Sequence, residues 1–192
     1  TENSTATMKT LLTISLVIFS FTLFGQQTAD TSYAPELFHP EYEKGKGPVV
    51  FIDSGHYNFH TRDGRYKPFA DLLERDGYVV KDYSGKFVRD ELHYGKILVI
   101  SNALNEVNTQ VWALPTPSAF TKEEIDIVKA WVQDGGNLFL IADHMPMAGA
   151  AADLAAAFGF EFTNGFVGHS ETQGIGFFSR SDGSLADCKI TQ

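Results

Sequence analysis

The run Lys96-Ile97-Leu98-Val99-Ile100-Ser101 has no polar residue between its Lys and its Ser, so it has no face to offer to water. A strand of this kind is buried on both sides, as in a parallel sheet covered by helices. Val49-Val50-Phe51-Ile52-Asp53 and Asn137-Leu138-Phe139-Leu140-Ile141-Ala142 have the same character, and Tyr78-Val79-Val80 is a shorter version. Helical patterns separate them. Residues 66–75 set Phe69, Leu72 and Leu73 on one face. Thr121 and Glu124 have the spacing of a capping box ahead of Ile125, Val128, Trp131 and Val132, and Asp134-Gly135-Gly136 ends that helix. An Ala-rich helix over 149–158 and a short strand over 160–162 complete the pattern. The alternation predicts a doubly wound α/β sandwich with a mainly parallel sheet.

The ends of the chain read differently. Residues 1–7 precede Met8 and are set aside as an upstream remnant. Residues 8–29 have the form of a secretory signal peptide: Met8-Lys9, then an apolar run from Leu11 to Phe24. That run is about 14 residues, within the range of a signal core and short of the roughly 18 to 20 that span a bilayer. The expectation is an exported protein, periplasmic or secreted, with no stable membrane insertion after cleavage. Residues 30–47 form a polar leader, and residues 48–192 the α/β domain. Beyond Gly165 the periodicity weakens, as expected of a domain truncated before its last elements. The single cysteine, Cys188, has no intramolecular partner for a disulfide and excludes a zinc–thiolate cluster.

Composition narrows the partners. The chain is 43% hydrophobic and 20% charged, enough to bury a core, and its net charge of −9 is spread rather than gathered in a tail. Lys and Arg form no basic stripe, so nucleic acid is not an expected partner. A small-molecule substrate or an envelope ligand is.

In an open α/β sheet the ligand crevice lies beyond the carboxyl ends of the strands. Three such ends are polar. Asp53, Ser54, His56, Asn58 and His60 follow the first strand; Ser101 and Asn102 follow the third; Asp143 and His144 follow the fourth. Asp53, His56, His60, Asp143 and His144 are the residue types that hold zinc or another divalent ion and activate water. Each has a plainer role as well: an Asp at a strand end caps the next turn, Asn58 holds a turn, and a lone loop His is solvated. His39, His93 and His169 are read as surface or structural residues, and Trp112 and Trp131 as packing residues.

Ile141-Ala142-Asp143-His144-Met145-Pro146 resembles the nucleophile elbow of the class I glutamine amidotransferase-like superfamily, written roughly Ala-Ile-Cys-His-Gly-Pro, with Asp143 standing where the cysteine would be. With Asp53, Gly55, His56 and Asn58 after the first strand, the chain is similar to an exported branch of that superfamily without the nucleophilic Cys. The resemblance runs from Pro48 to about Phe162 and implies a flavodoxin-like three-layer sandwich. It does not imply the thiol chemistry. Val49-Val50-Phe51-Ile52-Asp53-Ser54 is also similar to the first block of the GDSL-type esterases. That likeness puts Ser54 in the nucleophile's place and Asn102 in that of an oxyanion-hole donor.

Two readings follow. In the first, the chain is an exported hydrolase, either an esterase or a metal-assisted enzyme. Ser54, Asp53, His56, Asp143 and His144 are then catalytic, and Asn58, His60 and Asn102 bind substrate. In the second, it is a non-catalytic ligand- or protein-binding module on the same sheet. The deciding relationship is whether His56 or His60 reaches Asp143 or His144.

Overall fold

The computed structural model describes residues 28–167 and 176–191. The segment read as a signal peptide, residues 28 and 29 apart, lies outside the described residues, as does His169. Among the described residues no helix is long and apolar enough to cross a membrane.

The strands are β1 (Val49–Asp53), β2 (Val79–Tyr83), β3 (Ile97–Ser101) and β4 (Asn137–Ile141). They pair in the order β2-β1-β3-β4, every pair parallel. This is the order of a flavodoxin-like sheet. The helices are α1 (Lys67–Arg75), α2 (Arg89–Leu92), α3 (Lys122–Gln133) and α4 (Met147–Ala156), with a 3-10 turn at Glu106–Asn108.

Alternation along the strands sorts the core into two layers. Val50, Ile52, Val80 and Val99 face Ala70, Phe69 and Leu73 of α1. Phe51, Tyr83, Leu98 and Ile100 face the other way, toward Leu92 of α2, Val128 and Trp131 of α3, and Leu154 of α4. Helices on both faces of the sheet make the three-layer sandwich. Ile125 and Val132 pack on the second layer as the helical spacing predicts.

Three elements depart from the sequence pattern. β2 runs on to Tyr83 through exposed Lys81 and Asp82, because an edge strand tolerates polar side chains. Residues 160–162 form no strand, so β4 is the last strand among the described residues, and its Phe139 is exposed. The leader is also more than a tether: Tyr42 N–H donates to Asp76 O at 3.1 Å, and Tyr42 meets Tyr78 edge to face at 5.1 Å. Gly77 accommodates that contact, since it has φ +96° and a Cβ there would overlap Tyr42 O.

Candidate functional site

All four strands are parallel, so the loops after β1, β3 and β4 leave at one edge of the sheet. Asn102 binds those loops together. Its backbone N–H donates to Ile141 O and its carbonyl accepts from Phe59 N–H, both at 2.9 Å, while its side-chain Oδ1 accepts from Asp143 N–H at 3.2 Å. To reach all three it takes φ +48°, the left-handed region that Asn tolerates better than most residues.

The loop after β1 then divides. Asp53 and His56 turn inward. His56 Nδ1 lies 3.0 Å from both Asp53 carboxylate oxygens, and its Nε2 lies 3.0 Å from Glu124 Oε1. Asp53 is 0%, His56 5% and Glu124 4% exposed, and the imidazole packs between Phe87 and Phe120. Burial would push His56 down, but hydrogen bonds and charge from Asp53 and then Glu124 overcome it and hold the ring above its ordinary 6.5. Every side of this clasp is satisfied. Asp53 also accepts from Gly55 N–H and from Asn58 Nδ2, and Glu124 accepts from Phe87 N–H and from the Thr121 hydroxyl and amide. Gly55 lets the loop close, because a Cβ there would stand 2.5 Å from Gly85 O.

Ser54 turns toward β2, donating to Asp82 Oδ2 at 2.9 Å and lying 3.4 Å from Tyr83 O. No histidine among the described residues hydrogen-bonds to it, so the base that a serine esterase requires is not beside it. Asn58 is a positioning residue of the clasp, its Oδ1 accepting from His56 N–H at 3.0 Å.

His60 takes the opposite course, toward the crevice. Its Nδ1 lies 3.0 Å from the buried Ser101 hydroxyl, its ring stacks on Tyr66 at 4.7 Å, and its Nε2 hydrogen-bonds to none of the described residues. Burial lowers its proton affinity below the ordinary 6.5, the negative charge of nearby Asp143 opposes that shift, and Arg65 reinforces it. Of the two histidines after β1, His60 is thus the one that feels the charge of Asp143. His144 Nδ1 lies 2.6 Å from Met145 O, a carbonyl that only accepts, so Nδ1 carries the proton and Nε2, 3.9 Å from Asp143 Oδ2, is left for other partners.

The expected grouping is therefore corrected. Asp53 and His56 do not join Asp143 and His144, because Glu124 takes the second nitrogen of His56. Among the described residues no three His, Cys, Asp or Glu side chains group as a metal-ligand set. Sequence reasoning missed Glu124, whose capping box was visible but explained only one of its oxygens. Trp112, read as a packing residue, packs on Phe59 and His144 and is 41% exposed.

No family model, curated protein or solved structure matches the chain.

Proposed function

We propose that this chain is an exported hydrolase-like enzyme, related to the branch of the amidotransferase-like superfamily that lacks the thiol. Its working site is His60, Asp143 and His144 at the carboxyl edge of the sheet. The observation that carries this reading is His60: half-buried, held below its ordinary proton affinity, within the field of the Asp143 carboxylate, with Nε2 hydrogen-bonded to none of the described residues. A general base requires these properties near neutral pH. In ester hydrolysis, His60 Nε2 takes a proton from water as the water oxygen bonds the acyl carbon. The acyl–oxygen bond then breaks, and the proton passes to the departing alkoxide, giving acid and alcohol. Asp143 stabilises the imidazolium formed in between.

Short-chain ester probes, with and without chelator, test it. His60→Gln is expected to lower the rate by about 100-fold or more, with activity surviving chelation. Unchanged turnover in His60→Gln would overturn the assignment.

The second reading, a non-catalytic binding module, is favoured by Ser101. It is the hydroxyl that touches His60, yet it is 0% exposed and closed to a substrate. Under that reading no probe is turned over, while His60→Gln and Asp143→Asn still weaken ligand binding.

A further inference from the structure

The crevice has an aromatic side that the proposed chemistry does not use. Trp112 meets Phe59 edge to face at 5.6 Å and His144 at 5.6 Å, and His144 stacks on Phe166 at 4.7 Å. Trp112 is 41% and Phe166 66% exposed, so these rings offer surface to solvent rather than to the core.

The wall is held in place from behind. Buried Asn108 donates through Nδ2 to the carbonyls of Val111, Ala113 and Pro115 at 2.9–3.3 Å, fixing the loop that carries Trp112. Asn164 Nδ2 donates to Thr116 Oγ1 at 2.8 Å, and Met145 N–H donates to Gly165 O at 3.0 Å. The segment bearing Phe166 is thereby tied both to that loop and to the Asp143–Met145 turn. Exposed aromatic rings on a hydrogen-bonded frame form a preorganised platform, which lowers the ordering cost of binding.

We infer that this platform binds a neutral saccharide, with a sugar ring lying on Trp112 and Phe166 and its hydroxyls reaching Asp143 and Nε2 of His60 and of His144. The inference rests on the proposed site and names its ligand class. A sugar presents a face of C–H groups and a rim of hydroxyls. The C–H face suits the negative face of an aromatic ring, and the rim suits a few fixed acceptors and donors. Charge argues against an anion, which Asp143 and the net charge of −9 both oppose.

The chain has two tryptophans, and Trp131 is buried in the core at 8% exposure, so a change in emission on ligand addition reports Trp112. The full chain is titrated with neutral tetrasaccharides of glucose and of N-acetylglucosamine, and in parallel with tetramethylammonium. A saturable emission change with at least one tetrasaccharide is expected, weakened about tenfold in Phe166→Ala. Calorimetry on Trp112→Ala is expected to show the binding lost, with the far-ultraviolet dichroism unchanged. Saturation by tetramethylammonium alone, no saturation at all, or saccharide binding indifferent to both substitutions would each overturn the inference. Ester turnover that depends on His60 without saccharide binding would overturn the ligand class and leave the base assignment standing. Saccharide binding through Trp112 without such turnover would do the reverse.

Discussion

His56 Nε2 lies 3.0 Å from Glu124 Oε1, joining the loop after β1 to the first turn of α3 beneath the carboxyl edge of the sheet. With Asp53 on the other nitrogen, one buried ring bridges two carboxylates, and removing it leaves those charges uncompensated. His56→Ala is expected to cost about 3–5 kcal/mol in urea unfolding, the range for breaking a buried ion pair from one side. Glu124→Gln, which removes the charge and keeps an amide oxygen for the cap, is expected to cost less. Equal losses in the two variants would argue against a charged clasp.

The clasp also sets a pH dependence. His56 is raised in the folded state, so its contribution is complete below its unfolded value of 6.5 and is lost as pH climbs through the folded value. For Glu124, burial pushes the carboxyl up, but the Thr121 amide and then His56 pull it below its ordinary 4.5; its contribution is present above 4.5 and lost as pH falls through the folded value. The stability that wild type holds over His56→Gln should therefore be greatest between about pH 4.5 and 6.5 and should shrink above 6.5. Urea denaturation of both proteins from pH 4 to 9 gives the difference curve, and a difference that grows above pH 6.5 would contradict the clasp.

The strands were legible because nothing polar interrupts β1, β3 or β4, and a run with no wet face has few places to go. α2 was not legible: Arg89-Asp90-Glu91-Leu92 is one turn with a single buried residue, too short to show a period. The crevice was legible as an edge, because parallel strands deliver their carboxyl ends together. Which side chains enter it was not, since that depends on how each loop turns. Asp53 ends β1 pointing into the core, Ser54 turns to Asp82, and His60 reaches Ser101 only because Phe59 N–H is held by Asn102 O.

Asn102 gives the sharpest mutational contrast. Ala at φ +48° would meet a backbone cost of about 1–2 kcal/mol and also lose the hydrogen bond to Asp143 N–H, whereas Gly would lose the bond and carry the smaller chain-entropy cost of about 0.5–1 kcal/mol. Asn102→Ala should therefore unfold at lower urea than Asn102→Gly. The reverse order would mean that the left-handed backbone at this position is not maintained.

Ser54→Ala removes hydrogen bonds to Asp82 and Tyr83 at a part-exposed site, with an expected cost of about 1 kcal/mol or less. Ester turnover should stay within about twofold of wild type, since the general base assigned here is His60 rather than a partner of Ser54. Loss of turnover in folded Ser54→Ala would restore the serine route.

The division of the two loop histidines into a buried clasp and a crevice base is the claim on which the rest depends, and it needs no substrate to test. Histidine ring resonances followed by NMR from pH 4 to 9, assigned with His56→Gln and His60→Gln, measure both titrations in one protein. His56 should titrate above 6.5 and His60 below it. His60 titrating above His56 would contradict the account.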